Sequence, residues 1–453
     1  MKRLILIAAA LPAIAFAQVS DRTAKLRDAA LKDEVAYDIV EDLTTEVGQR
    51  LAGTEAEARA RAWSVKRLKA MGFANVRVEE YDMPVWVRGE EHGEIVAPFP
   101  QKLALTALGN SGATPPEGLT GEIVYFPTFA DLQAAPEAAL KGKIAFVSHS
   151  MTRTQDGSQY GPGGNPRRQG PAIASRKGAV AIVIRSAGTD RERHPHTGGT
   201  NFPAGVTPIP AAALSTLDAE QLERILARSK SVTMKLVLTP RQTGLQKSGN
   251  VIAEVPGRDP AAGMVVIGGH LDSWDLGTGA FDDAAGVAIT AAAAKRIMDA
   301  GKPRRTIRLV WWGAEEVGIF GGADYFKEHK QEQHALAAES DFGADRIWRV
   351  DFRLPDTAKP LADRVAAALA PLGIGRGAQP AGGGADIGEL VGSGVNAIDL
   401  QQDGTRYFDL HHTANDTLDK VDPAQLAQNV AAWTAMLAEV ADAPEDLMAG
   451  RPQ

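Results

Sequence analysis

The sequence predicts an α/β chain: a mostly parallel central sheet with helices on both faces, interrupted by a smaller, inserted β-rich unit. Three observations carry this. From residue 250 onward apolar strands alternate with helices, as in "MVVIGG" followed by a helix over Asp283 to Ala300, and "TIRLVWWG" followed by one over "FGGADYFKEHKQ". Alternation at this spacing argues for parallel strands joined by crossovers. Between Gly109 and Thr243 the composition shifts to Gly, Pro and short apolar runs. Finally, the strands of the second half each lead into an imidazole or a carboxylate, and the carboxyl ends of strands are where open α/β sheets bind ligands.

Composition bounds the rest. A chain of 453 residues has two domains as its natural prior, and 44% hydrophobic with 23% charged residues can build a sizeable core. The net charge of −7 gives no reason to expect a nucleic-acid or anionic-membrane partner. Cysteine is absent, which excludes disulfides, thiol nucleophiles and thiolate metal sites. A metal in this chain must be held by His, Asp and Glu.

In chain order, "MKRLILIAAALPAIAFAQVS" has a basic start at Lys2 and Arg3, an apolar stretch from Leu4 to Ile14 and a small-x-small pattern at Ala15-Phe16-Ala17. It reads as a signal peptide over residues 1–17, cleaved after Ala17, that exports the chain to the periplasm or outside. Its apolar run is shorter than the ~20 residues a spanning helix needs, and no later segment could span a membrane. Residues 22 to 70 carry apolar positions at helical spacing, with Gly72 as the stop, and "NVRVEEYDMPVWVRGEEHGEIVA" alternates as strands do. The inserted unit, residues 110–245, contributes "GEIVYF", "GKIAFVSHS", "GAVAIVIRSA" and "IPAAALS" as strands and "LDAEQLERILARS" as a late helix. The larger domain, residues 18–109 and 246–453, then resumes with "NVIAEVPG". It continues through strands in "HALAAESDFG" and "VNAIDLQQ" and helices over "ADRVAAALAPLG" and "PAQLAQNVAAWTAMLAEVA".

The strand ends deliver His270 and Asp272, then Glu315-Glu316, then Asp341, then His411-His412, and between the first two lies Asp282-Asp283 in "GGHLDSWDLGTGAFDDAAG". Singly each has an ordinary explanation: a satisfied histidine, an Asp that caps the Ala-rich helix, a solvated pair of glutamates. Jointly they do not, because several carboxylates at one poorly solvated edge repel one another unless a cation neutralises them. Imidazole and carboxylate donors without sulfur suit zinc, with cobalt or manganese possible. The number of donors suggests two ions with one carboxylate shared between them, the arrangement of two-metal hydrolytic sites. Such chemistry also needs a carboxylate that is not a ligand, to take the proton of the attacking water. Glu315 and Glu316, neighbours pointing to opposite sides, could supply one of each.

The segments "GGHLDSWDLGTGAFDDAAG", "WWGAEEVG", "ESDFG" and "HHTANDT", with the opening "GQRLAGTEAEARA…LKAMGF", resemble the M28 family of co-catalytic zinc exopeptidases, in particular its carboxypeptidase Q branch. The likeness covers nearly the whole mature chain, and the inserted segment resembles a protease-associated domain. The resemblance implies the zinc-exopeptidase fold, two zinc ions per chain, a short-peptide or dipeptide substrate and a homodimer. It also implies roles: His270, Asp282, Glu316, Asp341 and His412 as metal ligands with Asp282 shared, Glu315 as general base, and Asp272 behind His270, orienting it through its far nitrogen. A cis peptide after the shared Asp, at Asp282-Asp283, is expected on the same ground.

Some positions stay open. His411 is the alternative to His412, which the motif's register favours. Gly383 and Asp386, in "AGGGADIGEL", belong to a substrate-pocket loop or to a bare turn. Arg406 and Tyr407 could grip a substrate carboxylate or an oxyanion, or be ordinary loop residues. His194 and His196 in "RERHPHTGG" read as surface residues rather than ligands. Two rival activities share the fold: a single-zinc glutaminyl cyclase, and an inactive scaffold used for binding. The presence of all six metal-site residues weighs against the scaffold.

Overall fold

The computed structural model describes residues 19–32 and 34–448. The expected signal peptide lies outside them. Among the described residues no helix is long and apolar enough to cross a membrane.

Two eight-stranded sheets organise the chain. The first runs in the order Ala74–Val87, Arg241–Val255, Ile307–Trp312, Met264–His270, His334–Glu339, Asn396–Gln402, Ile347–Arg353, Gly375–Arg376. Its four central strands, Ile307–Trp312 to Asn396–Gln402, are parallel. Antiparallel pairs flank them: Arg241–Val255 on one side and Ile347–Arg353 on the other. The sequence "IWRVDFR" was not foreseen as a strand. It lies near the sheet edge with Arg349 and Arg353 partly exposed, so it lacks the apolar run that marks the central strands.

The central strands are buried along almost their whole length, as a sheet covered on both faces requires. Alternation sorts their side chains: Val265, Ile267, Leu309 and Trp311 join one core with helices Ala285–Asp299 and Pro423–Asp442, while Val266, Val310 and Trp312 join another with Tyr325, Ile387 and Leu390. Helix Ala285–Asp299 is alanine-rich because it is buried on nearly every side. Small side chains let it lie close to both the sheet and helix Pro423–Asp442.

The second sheet runs Gln101–Leu103, Glu91–Ala97, Thr233–Leu238, Leu119–Phe126, Ile144–Val147, Ala181–Arg185, Ala211–Leu214, Leu105–Ala107. Three of these strands precede residue 110, so the second unit starts near Glu91 rather than at the composition change. Its last strand ends at Leu238, before residue 245. The paired strands Ala74–Val87 and Arg241–Val255 form the stem from which it projects.

Candidate metal centre

The carboxyl end of Met264–His270 turns into a loop held from beneath by Arg50. This fully buried guanidinium donates to the carbonyls of Leu271 (2.5 Å), Thr278 (2.6 Å) and Gly279 (2.8 Å). The loop ends in the cis peptide Asp282-Asp283. The two aspartates part there. Asp283 turns inward and accepts hydrogen bonds from the His270 and Gly286 amides, both 3.0 Å, so it does the capping that an Asp before a helix is expected to do. A Cβ on Gly286 would lie 1.9 Å from the Ser340 carbonyl oxygen and 2.3 Å from Asp283 Oδ2, which is why this position must be glycine. Asp282 turns the other way, its backbone N–H donating to Asp416 Oδ2 at 3.1 Å.

Around Asp282 stand the other donors. His270 Nε2 lies 3.0 Å from Asp282 Oδ1 and 3.4 Å from Asp341 Oδ1. On the far side His412 Nε2 lies 3.4 Å from Asp282 Oδ2 and 2.8 Å from Glu316 Oε2. His411 stacks on His412 with ring centroids 3.5 Å apart, its Nε2 3.8 Å from Asp282 Oδ2. Two donor groups therefore meet at Asp282: His270, Asp282 and Asp341, and Asp282 with the two histidines. Glu316 stands beside the second group, where its Oε2 meets His412.

Asp272 reaches the far nitrogen of His270 through its backbone. The His270 Nδ1–H donates to the Asp272 backbone carbonyl at 3.0 Å, while its carboxylate is 3.6 Å away. That carboxylate instead accepts from the backbone N–H groups of Glu315 (3.1 Å) and Glu316 (3.3 Å) and so fixes the turn that presents both glutamates. Either contact lies behind the donors.

The electrostatics call for a cation. Burial and neighbouring acids push the Glu315 carboxyl up to about 8 and those of Glu316 and Asp341 above their usual range. Burial works against a charge on His270, but Asp341, Asp272 and Asp282 outweigh it and raise its pKa well above the ordinary value. His412 is held neutral, at about 3, by burial and by the Arg167 guanidinium. Asp282 Oδ2 and Glu316 Oε1 are buried without a hydrogen-bond partner. Acceptors left bare in this way, beside neutral imidazole, are the donor set a divalent ion takes, and with no sulfur present they fit zinc.

The centre opens into a cleft of about 450 Å³. Glu315, Glu316, Asp341, Phe342 and Tyr407 line it, together with Asn110, Tyr160, Arg167, Arg168 and Asn201 from the second unit. Of the substrate-loop candidates, Tyr407 and His411 reach the cleft. Arg406 does not: it is spent on Asp345 (2.7 and 2.6 Å) and the Lys420 carbonyl. Gly383 lines an adjoining cavity with Glu339 and Asp341. Asp386 is buried with both carboxyl oxygens unpartnered, its backbone N–H donating to Glu339. Burial and Glu339 hold its pKa well above the carboxylate range. His196 is also not where the sequence suggested, for its side chain is fully buried. Arg50, Asp416, Arg167 and Arg168 were not singled out at all. Arg50, Asp416 and Arg167 act on residues far away in sequence, where no local pattern marks them, and the Arg168 guanidinium contacts its neighbours Gly161, Asn165 and Tyr160.

Fold and site define an α/β metallopeptidase. The chain belongs to peptidase family M28. The family's model, Peptidase family M28, matches residues 250–437. Carboxypeptidase Q of Bos taurus is 35% identical over 416 residues, covering 91% of this chain and 86% of that protein. Among solved structures, a peptidase M28 precursor from Shewanella amazonensis is 47% identical with a TM-score of 0.92, covering 95% of this chain and 98% of that one. An aminopeptidase from Aneurinibacillus sp. strain AM-1 shares the fold at 22% identity and a TM-score of 0.66, covering 94% and 97%.

Proposed function

We propose that this chain is an exported dizinc exopeptidase that hydrolyses short peptides, dipeptides included. The observation that carries the reading is the meeting of two donor groups at Asp282. His270 and Asp341 would hold one zinc, Glu316 and His412 the other, and Asp282 both. Bound there, zinc supplies Lewis acidity toward the scissile carbonyl and makes water acidic enough to attack at neutral pH. Glu315 lines the cleft beside these donors and takes the proton of the attacking water, then passes it to the leaving amine. Arg167 and Arg168 are the arginines lining the cleft, and Arg168, only partly buried, would face a substrate carboxylate. A guanidinium lining the cleft beside the carboxylates supports a preference for peptides with a free C-terminus. Export rests on the pattern of residues 1–17.

The test is a digest of blocked and unblocked dipeptides and tripeptides by the zinc-loaded protein, with metal analysis alongside. Two zinc ions per chain are expected, together with activity lost to a strong chelator and restored by zinc. An active preparation free of metal would contradict the reading, and full activity with one zinc per chain would favour the cyclase.

A further inference from the structure

The motif "RERHPHTGG" of the second unit has no part in the function so far, yet His196 is among the most buried titratable groups of the chain. Its Nε2 lies 2.6 Å from Asp190 Oδ2, and its Nδ1–H donates to the backbone carbonyl of His411 at 2.7 Å. The next residue completes the grip. Thr197 N–H donates to the His412 carbonyl at 3.0 Å, and His412 Nδ1 lies 3.2 Å from both the Thr197 carbonyl and the Arg167 guanidinium. Upstream, Thr189 N–H donates to the Phe408 carbonyl at 2.9 Å. The segment 189–197 therefore holds the segment 408–412 by its carbonyls and by one imidazole ring.

This grip falls where the backbone needs it. His412 has φ 62°, in the left-handed region that a non-glycine residue occupies only when its surroundings impose it. The Thr197 carbonyl and the Arg167 guanidinium both meet the His412 ring at Nδ1, which leaves Nε2 toward Asp282 and Glu316. The second unit is shaped for the purpose: a Cβ on Gly188 would lie 2.2 Å from His196 Nε2. Asp190 is tied in turn to helix Thr216–Leu226, its carbonyl accepting from Thr216 Oγ1 at 3.0 Å. His270 has no counterpart: its ring is oriented by Asp272 of its own unit.

We infer that Asp190, His196 and Thr197 are positioning residues for His412, so that one of the two metal positions is completed by the second unit while the other is complete without it. The inference rests on the two-metal reading proposed above. By linkage, filling the His412 position and ordering of segment 189–197 must strengthen one another.

The experiment is a competitive zinc titration of the full chain against a chromophoric chelator, for the parent, His196→Ala and Asp190→Asn. The parent takes up two ions. In both variants one ion binds as in the parent and the other about 10–100-fold more weakly, the usual cost of losing an outer partner of a metal-binding histidine. Two ions at parental affinity in Asp190→Asn and His196→Ala, or equal weakening of both, would overturn the inference. A parent that takes up fewer than two ions would instead overturn the two-metal reading itself. Amide hydrogen exchange of the parent gives a check free of substitutions: segment 189–197 slows with the second equivalent of zinc and not with the first. No change at either equivalent would refute the coupling.

Discussion

The two sides of Asp282 are built by different means. His270 and Asp341 stand at or just past the ends of neighbouring parallel strands, so strand register alone brings them together. His412 stands on a loop, in a left-handed conformation, and is held there by Thr197 of another unit. One side is a product of the sheet; the other is a product of how two units dock. A donor placed by register resists local change, whereas a donor placed by docking depends on groups far from it in sequence.

Asp282 belongs to both sides, and its loss should have the largest effect. Asp282→Asn keeps the shape of the side chain but removes an anionic donor from both groups, so both ions should bind weakly and turnover should fall further than for any other single change. Metal analysis after dialysis against a weak chelator checks this. Retention of two tightly held ions would mean that Asp282 is not shared.

The adjacent glutamates separate chemistry from metal holding. Glu315→Gln should lower turnover by about 10²–10⁴-fold with both zinc ions retained, because the amide cannot accept a proton. Glu316→Gln should weaken one ion, with activity partly returning in excess zinc. A zinc titration with activity followed alongside decides it, and the reverse pattern would exchange the two assignments.

Arg50 tests the sheet-built side. Arg50→Met leaves the carbonyls of Leu271, Thr278 and Gly279 without their donor and the nearby aspartates without a buried countercharge. A loss of about 3–5 kcal/mol in unfolding free energy is expected by denaturant titration, the range for breaking a buried charged partnership. A change within about 0.5 kcal/mol would show that the loop stands without it.

The smallest effect concerns substrate. Arg168→Ala should raise KM for dipeptides with a free C-terminus by about tenfold, equivalent to about 1.4 kcal/mol, and leave amidated dipeptides unaffected. Arg406→Ala should leave this discrimination intact, because its guanidinium is engaged by Asp345 and lies outside the cleft.

What was legible in the sequence follows the same division. The central sheet, its covering helices and the placing of His270, Glu315, Glu316 and Asp341 at one sheet edge could be read because local periodicity sets strand ends, whereas their separate roles and that of Asp282 rested on the family resemblance. The division of labour in Asp282-Asp283 could be posed as two readings, cap or ligand; in the structure Asp283 bonds the helix amides and Asp282 faces the other donors. Asp272 was legible as a support for His270, but not that its carbonyl makes the contact and its carboxylate holds the glutamate turn. Arg406 was drawn into the site by its nearness to His411 in sequence, whereas its partner Asp345 lies on the segment before strand Ile347–Arg353. His196 looked like a surface residue because nothing in "RERHPHTGG" foretells a carboxylate six residues earlier folding back onto it. Glu91–Ala97 was legible as a strand but not as part of the second unit, and Gln101–Leu103 and Leu105–Ala107 were not read, because composition changes only after them.

The central claim is that two ions share Asp282, and anomalous scattering from a zinc-loaded crystal measures it most directly. Two peaks about 3.5–4 Å apart are expected, one among His270, Asp282 and Asp341 and the other among Asp282, Glu316 and His412. A single peak, or a second peak held by His411 in place of His412, would contradict the account.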